Sequence, residues 1–282
     1  MIIFRGLIIY NRGAVMDFIK NFLKGVAISI SQIVPGVSGG TIAMILGIYD
    51  KLLHAVNNIL KDFKNQYKIL LQVGIGAVVG IFLFSNIVKA LFDNYPIPVG
   101  YLFIGVILGG APLMFRKATV KGFNKKSILY LILGIIIVLM MGTPNNDASA
   151  IITSLSFINF IWLFIGGVVV AVALILPGIS GSFMLYVLGL YNTVITAVVQ
   201  FNIPVLIPIA LGGIIGTLLT ARIIEMLLIK FPEQTYILIF GFILGSVFSV
   251  FPGVDGLSSF IGIIFGVIGF IFTYYISRNE WF

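Results

Sequence analysis

The chain reads as an all-α polytopic membrane protein made of two inverted-topology repeats. Each repeat is a broken, re-entrant helix hairpin followed by three transmembrane helices. Three observations point there. Of 282 residues, 60% are hydrophobic and 9% charged, against about 25% charged in soluble domains. From Ala148 to Ala221 run 74 residues without Asp, Glu, Lys or Arg. As helix that is about 110 Å, more than three crossings of a ~30 Å hydrocarbon core. Finally, Pro35-Gly36-Val37-Ser38-Gly39-Gly40-Thr41 returns as Pro177-Gly178-Ile179-Ser180-Gly181-Ser182-Phe183, each copy in the middle of apolar sequence.

The apolar runs are continuous rather than alternating over ten-residue segments, which favours helices over a β-barrel. The first half divides into helical pieces at 14–34, 39–60, 69–93, 97–115 and 127–142. The second divides at 156–176, 181–200, 204–229, 235–251 and 257–277. This gives an N-terminal cytoplasmic segment 1–13, a first repeat 14–142, an external linker 143–155, a second repeat 156–277 and a tail 278–282. Residues 1–15 match nothing in the second half, so Met16 is an alternative start. Arg5, Arg12, Asp17, Lys20 and Lys24 interrupt the early apolar residues, which is not a secretory layout.

The duplication extends beyond the Pro-Gly tips. Val34–Val56 and Leu176–Val198 share nine of 23 residues, including Leu46-Gly47 with Tyr49 and Leu188-Gly189 with Tyr191. Leu70–Gly109 and Leu206–Gly245 align without gaps and share twelve of 40, among them Pro96 with Pro232. A hairpin adds an even number of crossings whether it re-enters or spans. The three remaining pieces make each half odd, so the halves must be inverted relative to each other. Basic residues test this independently. The loop 116–126 carries Arg116, Lys117, Lys121, Lys125 and Lys126 and is expected inside. Its counterpart 252–256 carries only Asp255 and is expected outside. Following the chain, Lys20, Lys24, Lys61, Lys64, Lys68, Lys230 and Arg278 fall inside with both termini, and Asp93, Asp147 and Asp255 fall outside, with Lys89 near the outer edge. The net charge of +8 is therefore a topology signal and not a nucleic-acid footprint.

Pro and Gly break helices, and a broken backbone at membrane depth is tolerated only inside protein or along a cavity. Paired breaks in matching halves point to a transporter's substrate site. A helix starts after each tip, with Ser38 or Ser180 as expected N-cap. Its first N–H groups lack intrahelical partners and suit phosphate or carboxylate. The candidate binding set is Gly36, Ser38, Gly39, Gly40 and Thr41, with Gly178, Ser180, Gly181 and Ser182. The plainer alternative is a tight turn whose glycines serve helix packing.

Arg222 and Glu225 lie in the 204–229 piece, on one face by their i,i+3 spacing. The matched residues are Asn86 and Lys89. A charge at membrane depth usually faces a partner or a wet cavity. Arg222 joins the candidate binding set. Glu225 is the candidate for proton uptake when an anion moves. A structural ion pair, or Arg222 snorkelling to the interface, is the alternative. Asp50, Lys51 and His54 read as a solvated helix end. Tyr49 and Tyr191 are matched and read equally as packing residues. Two helix N-termini at ~+0.5 each, with Arg222, give roughly +2, matching a phosphate monoester at about −1.5 to −2 provided that Glu225 is protonated or turned toward Arg222.

At these residues the chain resembles a bacterial and archaeal membrane family of polyprenyl-phosphate (undecaprenyl-phosphate) translocases, the PopT-like family. The matching features are Val34 to Thr41 with Leu46-Gly47-Ile48-Tyr49, and Leu176 to Ser182 with Leu188-Gly189-Leu190-Tyr191. The resemblance implies return of a polyprenyl phosphate lipid from the outer to the cytoplasmic leaflet of the cell membrane, for reuse in envelope synthesis. The tail would stay in lipid while the phosphate crosses. A carrier or channel for a small soluble anion is the alternative.

Polyprenyl-diphosphate phosphatases, a second alternative, carry Arg after the Ser of a similar motif, where this chain has Gly39 and Gly181. They also need a Glu-rich segment, whereas Glu225, Glu233 and Glu280 are dispersed. No nucleophile–base pair is visible, so no catalytic residue, cofactor or metal is expected. With no cysteine there is no thiolate metal site.

Overall fold

The structure, a computed structural model, describes residues 2–34, 36–120, 125–141 and 151–279, with side chains from 15 to 278. The first half holds α1 (Ile2–Ile33), α2 (Gly39–Ile45), α3 (Tyr49–Asn58), α4 (Phe63–Asn94), α5 (Pro96–Ala118) and α6 (Ser127–Met140). The second holds α7 (Phe157–Ile175), α8 (Gly181–Val187), α9 (Tyr191–Val199), α10 (Ile203–Lys230), α11 (Pro232–Val250) and α12 (Gly256–Asn279). Six of these, α4, α5, α7, α10, α11 and α12, are long and apolar enough to cross a membrane. The described residues form an all-helical, multi-pass membrane protein.

Two boundaries differ from expectation. Helix α1 begins at Ile2 rather than at 14. The pieces expected at 39–60 and 181–200 are each two helices, α2 with α3 and α8 with α9. The cause is local. Gly47 and Gly189 have φ of +66° and +67°. Gly47 N–H donates to the Met44 carbonyl at 3.1 Å and Ile48 N–H to Ala43 at 3.0 Å. Gly189 and Leu190 repeat the pattern onto Tyr186 and Leu185 at 3.0 and 2.8 Å. This pair of bonds around a left-handed glycine is a Schellman cap, which ends a helix and satisfies its last carbonyls. Helices α8 and α9 meet there at a bend of 113°. The expected linker 143–155 lies mostly outside the described residues, as do Pro35, Lys121 and Asp147.

Helix pairing follows one scheme used twice. α1 packs on α4 as α7 packs on α10, and α5 packs on α12 as α11 packs on α6. The matched glycines set the spacing. A Cβ on Gly76 would fall 2.0 Å from the Phe22 carbonyl oxygen, and one on Gly212 would fall 2.0 Å from that of Phe164. Phe22 and Phe164 are themselves counterparts in the two halves. Both crossings therefore bring backbone against backbone, where only glycine fits. The core gathers around the first tip. All seven residues of α2 are buried, while in α8 only Gly181 and Met184 are. Val34, Val37, Met44, Ile48, Ile107, Ile239 and Ile243 pack there.

Gly76→Ala is expected to lower stability by about 1–3 kcal/mol, because neither backbone can yield. Gly74→Ala, with nothing within 4 Å of its added carbon, is expected to be neutral or to stabilise by up to ~1 kcal/mol. Thermal unfolding of both variants in detergent checks the pair.

Candidate functional site

The two tips meet. Gly178 N–H donates to Thr41 Oγ1 at 2.8 Å. Ser38 Oγ donates to the Leu176 carbonyl at 3.4 Å, and the Tyr49 hydroxyl to that of Ile175 at 3.0 Å. A Cβ on Gly40 would stand 3.1 Å from the Ile175 oxygen and 3.2 Å from Pro177 Cα. Polar backbone freed by one break is thus bonded by side chains from the other half. Ser38 and Thr41 are buried at 2% and 0% exposure, so both are held within the junction.

The remaining candidates separate by what they face. Gly36 and Gly178 have φ of +80° and +86°, a turn that L side chains rarely adopt. Both lie on α11: a Cβ on Gly36 would reach the Ser249 carbonyl at 3.2 Å, and one on Gly178 the Phe242 carbonyl carbon at 2.4 Å. Ser38 and Ser180 occupy the expected N-cap positions with extended backbone, yet neither hydroxyl caps its helix. Ser38 bonds across to Leu176, and Ser180 Oγ lies 3.0 Å from Ser182 Oγ. Ser38 gives up capping for an acceptor across the junction, whereas Ser180 pairs locally with Ser182, either hydroxyl able to donate. Gly39 and Gly181 are covered only by side chains, Gln32 and Leu174 respectively.

Beside Gly39 and Gly40 is a cavity of about 170 Å³, walled by α1, α2, α3, α4, α7 and α10. Gln32 and Leu174, counterparts in the two halves, both line it. Leu174 is 45% exposed, so the cavity reaches the outer surface of the helix bundle.

Arg222 and Glu225 diverge. Arg222 is exposed and makes no ion pair among the described residues, while its neighbour Ala221 lines the cavity. Glu225 faces α3. Its Oε1 lies 2.7 Å from His54 Nδ1, and its Oε2 accepts from Asn57 Nδ2. His54, expected as part of a solvated helix end, is exposed but also holds α10. The signal available in the sequence was the i,i+3 spacing of His54 and Asn57, which puts both on one face of α3. The matched residues Thr196, Val199 and Lys89 cannot repeat the contact. Helix α3 packs on α10, whereas α9 has no comparable seat on α4.

A second polar cluster lies at the same end of the bundle. Asp50 pairs with Lys117 at 2.9 Å and accepts from the Tyr236 hydroxyl at 3.1 Å. It ties the start of α3 to the end of α5 and the start of α11. Among the described residues no three His, Cys, Asp or Glu converge in a way that would hold a metal.

The tip junction spans sequence that matches the undecaprenyl phosphate translocase-like family over residues 28–263. The chain belongs to that family. A polyprenyl-phosphate transporter of Staphylococcus aureus is 36% identical over 270 residues, covering 92% of this chain and 95% of the relative. A polyprenyl-phosphate transporter of Vibrio cholerae is 31% identical over 260 residues, covering 87% and 82%. Both relatives carry transporter names, which places this translocase-like chain among transporters rather than enzymes. No solved structure matches it.

Thr41→Val removes the acceptor of a buried N–H and is expected to cost about 1–3 kcal/mol. Thr41→Ser keeps the oxygen and should retain most of the stability. Equal thermal midpoints for wild type and Thr41→Val would contradict this account of the junction.

Proposed function

We propose that this protein carries polyprenyl phosphate across the cell membrane, from the outer to the cytoplasmic leaflet. The observation that carries the reading is the meeting of two matched tips beside a cavity that reaches the bundle surface. The prenyl chain stays in the bilayer and only the headgroup enters. Gly39 and Gly40 line the cavity it enters, and Gly181, Ser180 and Ser182 belong to the matching tip, which does not wall it. Gly36, Ser38, Thr41 and Gly178 hold the junction that shapes it. Arg222, exposed one residue from the cavity wall, draws the phosphate toward the opening.

The halves are inverted repeats in this reading. Its support is the duplicated pairing, in which α5 and α11 each exchange onto the last helix of the other half. The basic residues then set both termini and the α3–α10 contact on the cytoplasmic side. Inverted repeats alternate by exchanging conformations around a central site. The present arrangement has one face latched by α3 on α10, with no equivalent contact of α9 on α4. Opening requires α3 to leave α10, and Glu225 is the group that restrains it. An ionised Glu225 accepts from Asn57 and His54, and a protonated one loses that double acceptance. Proton uptake at Glu225 therefore favours release and couples the return of phosphate to the proton gradient.

The test is purified protein in liposomes, following outer-leaflet accessibility of a long-chain prenyl phosphate with and without an imposed pH gradient. Wild type should move the phosphate, and bulky substitution of Gly39 and Gly181 should abolish movement. Glu225→Gln should still bind the lipid but lose the gradient dependence, and an unchanged gradient dependence would end the coupling proposal. Uptake of soluble phosphate without lipid movement would make the protein a small-anion carrier instead.

A further inference from the structure

We propose that Gln32 is the side chain that grips the phosphate headgroup in the cavity beside the first tip. This deepens the function proposed above and rests on it. Of the side chains walling the cavity, only Gln32 and Tyr49 are polar. The Tyr49 hydroxyl is occupied by the Ile175 carbonyl at 3.0 Å. Gln32 has no hydrogen-bond partner among the described residues, and no fully buried side-chain nitrogen or oxygen among them is left without one. Its amide is therefore open to the cavity. An amide set among aliphatic walls is unfavourable unless a polar group from outside the protein meets it.

Geometry fixes where that group would sit. A Cβ on Gly39 would lie 2.5 Å from Gln32 Nε2, so the amide rests directly over Gly39 and a side chain there would displace it. At the second tip the matched residue is Leu174, whose Cδ2 would lie 3.0 Å from a Cβ on Gly181. The placement is the same and the chemistry is opposite. Because Leu174 walls the same cavity, the space has one pole that donates hydrogen bonds and one that is aliphatic. A phosphate offers acceptor oxygens to the amide N–H groups, and the first isoprene unit of the same molecule matches the leucine. An inorganic anion would use only one pole.

The experiment titrates the purified full-length protein in detergent with farnesyl phosphate and with farnesol, reading binding by thermal stabilisation. Wild type should bind the phosphate more tightly than the alcohol. Gln32→Leu should weaken farnesyl phosphate on the order of tenfold and leave farnesol unchanged. Gln32→Glu keeps the shape, repels the anion and should weaken it further; it carries the test if Gln32→Leu does not fold. Farnesyl phosphate affinity equal to wild type in both variants overturns the assignment of Gln32 alone. Equal weakening of both ligands in both variants also overturns it, since that marks a structural effect. Absence of any preference for the phosphate in wild type overturns the tip site and Gln32 together.

Discussion

Everything in this fold depends on satisfying backbone broken at membrane depth. A helix interrupted by Pro-Gly frees N–H and C=O groups that hydrocarbon cannot bond, at several kcal/mol for each. Here the backbone around the second interruption is bonded by side chains of the first half. Thr41 of the first tip accepts from Gly178 of the second, while Ser38 and Tyr49 donate to Leu176 and Ile175 just before it. The second tip thus depends on Ser38, Thr41 and Tyr49 for partners of its backbone. The glycines follow from the same constraint, since Gly40 and Gly178 leave room for neighbouring backbone. A second pair, Gly47 and Gly189, ends α2 and α8 by Schellman caps, so the short helices beyond the tips close their own carbonyls.

Duplication supplies the frame and divergence supplies the mechanism. Contacts repeat at Gly76 with Phe22 and Gly212 with Phe164, positions that only have to hold helices together. Contacts differ where the halves must act unlike each other. Glu225 pairs with His54 and Asn57, but the corresponding places hold Lys89, Thr196 and Val199. The polar cluster of Asp50, Lys117 and Tyr236 has Asn192, Gly253 and Gly100 at its matched positions. An identical pair of halves would have equal tendency to close either face. In the proposed function, side chains that latch only one face bias that balance, and Glu225 is the group proposed to adjust it by proton uptake.

What the sequence made legible was whatever repeats with Pro or Gly. The helical membrane class, the tips and the matched glycines are all backbone requirements, and backbone requirements limit residue choice severely. The break at Leu46-Gly47-Ile48 was visible as a repeated motif but not as a helix end, because Gly inside an apolar run reads equally as helix packing. The Ser38 and Ser180 caps were read from a local rule. In the fold, a tertiary acceptor, the Leu176 carbonyl, draws Ser38 away from capping, and the neighbouring hydroxyl of Ser182 pairs with Ser180. Glu225 stood out as a charge at depth, yet its partner lay 171 residues away, and no local pattern links such positions. Gln32 carried no signal at all, since one amide before a Pro-Gly turn is ordinary until the cavity beside it is seen.

The size of the cavity bears on which molecule the protein handles. At about 170 Å³ it resembles an engineered cavity of about 150 Å³ that holds a single benzene. A headgroup with its first few carbons fits such a space, and a long prenyl chain does not. The chain must lie outside, and Leu174, on the wall and 45% exposed, marks the side on which it can do so. A phosphate drawn alone through hydrocarbon would meet the full desolvation penalty of its charge. In the proposed function, a headgroup entering beside Gly39 instead meets the amide of Gln32. The lipid tail contributes by staying where it is: its affinity for the bilayer keeps the substrate beside the opening throughout. On the proposed function the protein then needs only a small headgroup site and a latch, the roles proposed for the cavity beside the tips and for the α3–α10 contact.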